Sequence, residues 1–288
     1  MSLIENILYP VDFSPACVAM APYVKRAANL VNAKVSLLHV VDLVSHNGFE
    51  LYLRAPSEIA EEHLEIGRER LNAFLSSEFP QDRYSRILAS GDAATQIARV
   101  ARESKFDLII MPTHSGLFRQ RLIGSTTAKV INDADCPVLT STHAKTVAPK
   151  PLEHREWLCA IGLSSNSERV LRYASQAATE VNAKLAIIHA VQSANPEVLI
   201  DIGLEEQIES AERQEARRKL AELQQRVGST AAVRIPVGSI KDALLETVRQ
   251  ADADVLMIGR SPQPGASGRM RDLTYAVVRD SPFPVLTI

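Results

Sequence analysis

The first candidate for chemistry is a carboxylate at the end of an apolar run. Asp12 directly follows Ile7–Val11, a short stretch that is apolar throughout and favours a buried strand. A strand-terminal aspartate suggests a phospho-acceptor receiver domain, but that function needs its acceptor after the third strand. The third predicted strand ends in Ala89-Ser90-Gly91, so the sequence excludes a receiver domain.

The motifs of several common nucleotide and hydrolase sites are missing. No GxGxxG follows a predicted first strand, and neither GxxxxGK[ST] nor the GxSxG nucleophile elbow is present. A dinucleotide-binding Rossmann site, a P-loop ATPase and an α/β-hydrolase are therefore unsupported.

The histidines and cysteines do not predict a metal site. The three cysteines, Cys17, Cys136 and Cys159, are widely spaced without a CxxC pair, and the seven histidines are scattered. His39 and His189 stand at matched strand ends without a carboxylate motif beside them, so a structural role is favoured for both.

Length and charge limit the possible partners. The 288 residues suggest two domains, and the net charge of −2 argues against a nucleic-acid or anionic-membrane footprint. The N-terminus lacks a signal-peptide pattern, and no stretch approaches the ~18 apolar residues of a membrane span. With cysteines typical of a reducing compartment, these features predict a cytoplasmic protein that binds neither nucleic acid nor membrane.

The chain is an internal repeat. Val31–Val41 recurs as Val181–Val191, and Pro137–Thr140 recurs as Pro284–Thr287. Because these blocks keep their order at nearly one offset, we interpret the chain as a tandem duplication. We expect domains at 1–142 and 157–288, joined by a linker over 143–156 that contains Pro149-Lys150-Pro151 and no apolar periodicity.

Each half alternates apolar runs with helical periodicity. The pattern predicts strands over 7–11, 35–41, 84–89, 108–111 and 138–140, and helices over 16–30, 59–77, 93–103 and 125–132. The second half predicts strands over 158–163, 185–191, 233–237, 255–258 and 285–288. Strands that are apolar throughout belong to parallel sheets covered on both faces, so we predict an α/β fold of two tandem doubly wound five-stranded parallel sheets. Ligands of such sheets bind at the carboxyl ends of strands, where strand order reverses.

One family resemblance accounts for most of both halves. The residues that carry it are Tyr9–Ser14, the strand end Leu38–Val41, Asp107–Ser115, Gly124-Ser125 and Asp135–Leu139. With this order and spacing, the chain resembles a tandem member of the universal stress protein family.

The resemblance implies an ATP site in the first half. Some family members bind ATP through a loop after the fourth strand of the form G-x2-G-x9-G-[ST], with an aspartate after strand one and a valine after strand two at the adenosine. Glycines let the backbone approach phosphates, and a helix N-terminus presents N–H groups to an anion. Carried over by position, the nucleotide-binding candidates are Pro10, Val11, Asp12, Val40, Met111, Pro112, Thr113, His114, Ser115, Gly124, Ser125 and Thr126.

The first half departs from the family loop. Pro112 stands at the first glycine and Ser115 at the second, and eight residues instead of nine separate Ser115 from Gly124. Proline has no N–H to donate. Gly116, one position later, is a candidate for the flexible role, and Arg119 and Arg121 are candidates for added phosphate charge.

The second half departs further. Gly162 replaces the aspartate, Pro262 replaces the second glycine, and Arg271-Asp272 replace Gly-Ser, although Gly259 keeps the first glycine. A substituted anion site that uses Arg260, Arg269 and Arg271 is one alternative. A degenerate half retained for packing is the favoured one.

Three functions stay open. The first is a stress-response module whose first half binds an adenine nucleotide and whose state is read by an unidentified protein partner. The second is a structural or interaction protein without nucleotide. The third, a slow ATPase at Asp12, ranks last because the sequence offers no general base and no magnesium carboxylate pair. The resemblance also implies an internal pseudo-dimer through the final strands, Val138–Thr140 and Val285–Ile288, with a homodimer as a further possibility.

Overall fold

The computed structural model describes residues 2–43, 56–113, 123–141, 156–193, 202–260 and 268–288, and the following account concerns these residues. The chain divides into two units, Met1–Pro151 and Leu152–Ile288. The predicted linker, 143–156, lies outside the described residues except for Glu156.

The first unit alternates five strands with four helices. The strands are β1 (Asn6–Pro10), β2 (Lys34–Val41), β3 (Ser85–Ser90), β4 (Leu108–Pro112) and β5 (Val138–Ser141). The helices are α1 (Pro15–Val31), α2 (Pro56–Ala73), α3 (Ala93–Glu103) and α4 (Ser125–Asp133). Helix α3 has the predicted bounds. Helix α2 begins three residues earlier and ends four residues earlier than the predicted range of 59–77.

The strands of the first unit form a parallel sheet in the order β3-β2-β1-β4-β5. Its centre is apolar, and Ile7, Leu8 and Tyr9 of β1 are fully buried. Helix α1 begins where the sequence predicts, because Pro15 occupies its first turn and the Ser14 hydroxyl accepts a hydrogen bond from the backbone N–H of Cys17 at 3.4 Å.

One partly buried cation, Arg86, lies at the C-terminal side of α2. The Arg86 guanidinium donates to the carbonyl groups of Leu71, Phe74 and Phe79. Burial lowers the pKa of Arg86 from its usual value. The guanidinium therefore joins the last turn of α2, through Leu71, to the turns that follow the helix, through Phe74 and Phe79.

The second unit repeats this plan. Its strands are β6 (Glu156–Ala160), β7 (Lys184–Ile188), β8 (Val191–Gln192), β9 (Ala232–Arg234), β10 (Val237–Gly238), β11 (Val255–Ile258) and β12 (Val285–Thr287). Its helices are α5 (Ser167–Glu180), α6 (Ile202–Val227), α7 (Ile240–Gln250) and α8 (Gly268–Asp280). The parallel sheet runs β12-β11-β6-β7-β9.

Three predicted strands of the second unit are wrong in extent. The predicted strand 158–163 is β6, which ends at Ala160 because the chain turns at Leu163, where φ is +53°. The predicted strands 185–191 and 233–237 are each interrupted. They form β7 and β9 in the main sheet, then β8 and β10 in a separate parallel pair. Pro236 lies at the break, and a proline cannot donate to a strand ladder.

The repeat extends to unusual backbone conformations. Phe13 and Leu163 occupy matched positions and have φ of +65° and +53°. Asn32 and Asn182 follow matched helices with φ of +54° and +56°. Since non-glycine residues rarely adopt positive φ, these pairs indicate that both halves use the same turns after the first strand and first helix. Within the described ranges, no helix is long and apolar enough to cross a membrane.

Candidate functional site

The first unit has a cleft at the carboxyl ends of β1, β2 and β4, where strand order reverses between β1 and β4. Its volume is about 240 Å³. The strands, the first turn of α1, helix α3 and the start of α4 contribute its lining. The lining residues are Pro10, Val11, Asp12, Cys17, Leu38, His39, Val40, Ala93, Ile97, Met111, Pro112, Gly124, Ser125, Thr126 and Thr127.

Asp12 is held by the residues that begin α1. Its Oδ1 accepts hydrogen bonds from the Ser14 backbone N–H at 3.0 Å and from the Cys17 thiol at 3.2 Å. Burial, together with the Asp12 carboxylate, raises the pKa of the Cys17 thiol to about 12. The thiol therefore stays protonated at neutral pH and acts as a donor to the carboxylate rather than as a nucleophile.

An aromatic cluster forms beside Asp12. The Phe13 ring lies 4.2 Å from the His39 ring and 5.3 Å from the Phe74 ring, measured between centroids, and the Arg70 guanidinium is 4.5 Å from the Phe13 centroid. The Nδ1 of His39 lies 2.9 Å from the Val11 carbonyl oxygen. Since that oxygen can only accept, Nδ1 carries the proton. Burial and the Arg70 charge lower the pKa of His39 from its usual 6.5, so the ring is neutral at pH 7.

The two matched histidines have the same structural role. The Nδ1 of His189 lies 2.7 Å from the Ile161 carbonyl oxygen, which repeats the contact between His39 and Val11. Each ring therefore ties the end of the second strand of its unit to the residue that follows the first strand.

The start of α4 offers backbone N–H groups to the cleft. The Gly124 N–H donates to the Thr113 carbonyl oxygen at 2.8 Å, and the Thr127 hydroxyl donates to the Pro112 carbonyl oxygen at 3.2 Å. These bonds fix the helix start against the end of β4. Gly124 provides no side-chain cap. Within the described ranges, the N–H groups of Ser125 and Thr126 make no hydrogen bond, and such groups at a helix N-terminus attract anions.

The structure brings most of the sequence-predicted site residues into this cleft. Nine of them line it: Pro10, Val11, Asp12, Val40, Met111, Pro112, Gly124, Ser125 and Thr126. Thr113 is buried beside it, with its hydroxyl directed to the Ser141 carbonyl oxygen at 3.3 Å. His114 and Ser115 lie outside the described residues, as do Gly116, Arg119 and Arg121.

Sequence reasoning missed six lining residues: Cys17, Leu38, His39, Ala93, Ile97 and Thr127. Ala93 and Ile97 are four residues apart on α3, so they share one helix face; Ile97 is buried and Ala93 is partly buried. A weak signal for Cys17 was its place in the first turn after Asp12, because the carboxyl end of β1 and the start of α1 face the same edge of the sheet.

The second unit has a cleft at the corresponding place, with a volume of about 200 Å³. Gly162 stands there in place of the carboxylate of Asp12. The Asn166 side chain donates to the Arg260 carbonyl oxygen at 2.8 Å, which ties the start of α5 to the end of β11. In the described parts of both units, no group of three or more His, Cys, Asp or Glu side chains could hold a metal ion.

Comparison with known proteins agrees with this architecture. The model of the universal stress protein family matches residues 4–141 and 154–288. The chain therefore belongs to the universal stress protein family and contains two tandem domains of that type. This confirms the family and the α/β class predicted from the sequence.

Three known proteins illustrate the similarity. Universal stress protein MJ0531 of Methanocaldococcus jannaschii is 31% identical over 142 residues, which cover 48% of this chain and 82% of that protein. A crystal structure of a universal stress protein from Archaeoglobus fulgidus matches 98% of this chain and 95% of its own, with a TM-score of 0.66 and 21% identity. A universal stress protein solved in complex with cAMP matches 47% of this chain and 96% of its own, with a TM-score of 0.36 and 24% identity.

Proposed function

We propose that the first unit binds an adenine nucleotide, ATP, and that the protein is a stress-response binding module. The observation that carries the proposal is that one cleft is lined by both the Asp12 carboxylate and the uncapped start of α4. The first can accept hydrogen bonds from a nucleoside, and the second can donate them to phosphates.

The start of α4 supplies the phosphate end. The first-turn N–H groups of Ser125 and Thr126 add to the partial positive charge of the helix N-terminus. Pro112, at the family's first glycine, removes one N–H from β4, but its carbonyl group already accepts from Thr127. Pro112 therefore contributes to the position of α4 rather than to the phosphates themselves.

The adenosine end lies at β1 and β2. Val11, Val40 and Met111 contribute apolar side chains to the cleft, and Asp12 is the charged residue among its described lining residues. Because Oδ1 of Asp12 is already engaged by Ser14 and Cys17, the carboxylate orientation is set before a ligand arrives. Such preorganisation reduces the entropic cost of binding.

We propose binding rather than turnover. Phosphoryl transfer needs a residue that positions the attacking nucleophile and groups that neutralise the developing charge. Asp12 is the single carboxylate among the described lining residues, and we assign it to the nucleoside. A partner that distinguishes the nucleotide-bound form would then read the state of the protein.

A titration of the full chain with ATP tests the proposal. Asp12→Asn keeps an acceptor for Ser14 and Cys17 but removes the negative charge. We expect ATP affinity to fall about tenfold, which corresponds to the loss of one charge-assisted hydrogen bond. Asp135→Asn is the matched control, because Asp135 is 65% exposed and pairs with Arg102 on the surface. Absence of ATP binding to the unaltered chain would favour a structural or interaction protein, and equal affinity in Asp12→Asn would refute the assigned role.

A further inference from the structure

The second cleft has a largely aliphatic lining. Its large aliphatic side chains are Ile161, Ile188, Ile240, Leu244, Ile258 and Leu273. Leu273 stands where the first unit has Thr126. Gly162 stands where the first unit has Asp12, so the carboxylate is absent. These exchanges replace polar groups of the first cleft and favour a ligand whose surface is mostly apolar.

One buried hydroxyl group belongs to this lining. Ser167, in the first turn of α5, is 6% exposed and stands where the first unit has Cys17. Its Oγ accepts a hydrogen bond from the Ser164 backbone N–H at 2.9 Å. In the first unit the corresponding N–H, that of Ser14, donates to Asp12. The Ser167 hydroxyl has therefore taken over the acceptor role of the missing carboxylate.

The donor side of the same hydroxyl is available. A serine hydroxyl can donate one hydrogen bond in addition to those that it accepts. Among the described residues, the Ser167 hydroxyl donates to no acceptor, whereas the thiol of Cys17 donates to Asp12. A buried donor without an acceptor is unfavourable, and a ligand that brings an acceptor would satisfy it.

Other polar side chains near Ser167 are already engaged within the protein. The Asn166 side chain donates to the Arg260 carbonyl oxygen at 2.8 Å, and its Oδ1 accepts from the Arg169 guanidinium at 2.7 Å. Arg260 has a further interaction within the chain, so we assign it no contact with a ligand. The His189 ring donates to the Ile161 carbonyl oxygen. Ser167 is thus the buried polar side chain that the described lining offers to a ligand.

The size of the cleft limits the ligand. An apolar cavity of about 150 Å³ binds benzene. The second cleft, at about 200 Å³, therefore has room for one ring with a short substituent. Aliphatic walls cannot replace the hydration of a charged group, so an uncharged ligand is favoured.

We propose that the second cleft binds a small, uncharged and largely apolar carbonyl compound, such as a ketone. Its hydrocarbon part packs among the aliphatic side chains, and its carbonyl oxygen accepts the hydrogen bond from the Ser167 hydroxyl. This site does not depend on the nucleotide site proposed for the first unit. The protein then binds two different classes of ligand on two copies of one fold.

Two probes of nearly the same shape test this contact. Acetophenone carries a carbonyl oxygen, and α-methylstyrene carries a methylidene group in the same place, which cannot accept a hydrogen bond. Each probe is titrated into the full chain, with ligand-observed NMR as the readout. We expect saturable binding of both, because both fit among the aliphatic side chains. Absence of saturable acetophenone binding would overturn the proposal.

The Ser167→Ala variant tests the hydroxyl. It should weaken acetophenone about fivefold and leave α-methylstyrene unchanged, because only the ketone loses a hydrogen bond. Comparing each probe between the two proteins cancels the different hydration of the probes. Ser165→Ala is the matched control, because Ser165 is an exposed serine outside the cleft lining, and this variant should bind both probes as the unaltered chain does.

The fluorescence of Trp157, the single tryptophan, reports whether each variant retains a folded second unit. If the loss of the bond from Ser164 unfolds Ser167→Ala, Ser167→Cys provides the test. This variant introduces the residue of the first unit, whose thiol is a weaker donor, and should weaken acetophenone about threefold without weakening α-methylstyrene. Full acetophenone affinity in the folded variant, or an equal loss for both probes, would refute the role of Ser167.

Discussion

Replacing Ser125 with proline removes one backbone N–H from the start of α4 and should leave the helix in place. Ser125 is the first residue of the helix, where proline is well tolerated. Gly124 has φ −60° and ψ 144°, a conformation compatible with a following proline. The first helical bond of α4, from the Ala128 N–H to the Gly124 carbonyl oxygen at 3.0 Å, is unaffected.

The expected loss follows from that one group. Within the described ranges the Ser125 N–H has no hydrogen-bond partner, so it is available to a phosphate oxygen. A hydrogen bond to a charged group contributes about 1.5–3 kcal/mol, so Ser125→Pro should weaken ATP about 10- to 100-fold. Adenosine, which has no phosphate, should bind unchanged.

The assay is isothermal titration of the full chain with ATP and with adenosine. Ser125→Ala is the matched control, because it removes the hydroxyl and keeps the N–H, and it should lose much less ATP affinity than Ser125→Pro. Two results would contradict a phosphate contact by the Ser125 N–H. One is ATP affinity in Ser125→Pro equal to that of the unaltered chain. The other is an equal loss for adenosine, which would indicate that the proline disturbs the whole cleft.

Three further predictions concern stability. Arg86→Leu should lower the free energy of unfolding by about 3 kcal/mol, because three carbonyl groups lose a charged donor. Arg83→Leu, at an exposed position, should be nearly neutral in urea unfolding. Equal effects of the two substitutions would contradict the role of the Arg86 hydrogen bonds. Gly259→Ala should destabilise the second unit by about 1–3 kcal/mol, as monitored by tryptophan fluorescence, because the added Cβ would lie too close to Val170. Adding Val170→Ala to that variant should restore part of the lost stability. If the losses of the two substitutions are simply additive, the two side chains do not clash. The fold lowers the pKa of His39, so the folded protein favours the neutral ring. The stability that this neutral ring contributes is present above pH 6.5 and is lost as the pH falls towards the folded pKa. The midpoint of urea unfolding should therefore fall as the pH is lowered through this range, and it should fall less steeply in His39→Gln. An equal pH dependence of the midpoint in the two proteins would contradict the lowered pKa of His39.

The repeat made most of the fold predictable. Once 31–41 and 181–191 are aligned, every strand of one half predicts a counterpart in the other, and all ten predicted strands are found, several with shifted or shortened bounds. The matched turns at Phe13 and Leu163 were not predictable, because neither residue type favours positive φ. Their conformation is set by the tertiary structure.

The break between β7 and β8 had a signal that the apolar pattern concealed. The stretch 185–191 is as apolar as its counterpart 35–41, which forms one continuous strand. The difference lies in the neighbouring strand, where Pro236 interrupts pairing. A proline inside a predicted strand predicts an interruption not only of that strand but also of its neighbour.

The candidate site was predictable where it follows strands and less so where it depends on helices. Asp12 and Val40 lie in or directly after strands, and the doubly wound order brings them together. Cys17 and Ile97 reach the cleft from helices whose distance from the sheet edge depends on packing. Thr113 was predicted as a site residue because it follows β4, but it is not among the residues that line the cleft. Its hydroxyl donates to the Ser141 carbonyl oxygen instead.

A structure of the full chain determined with ATP tests directly whether the first cleft is the nucleotide site. We predict one nucleotide per chain, in the first cleft, with adenosine beside Asp12 and Val40 and phosphates at the N–H groups of Ser125 and Thr126. A nucleotide in the second cleft, or a first cleft without nucleotide at saturating ATP, would contradict it.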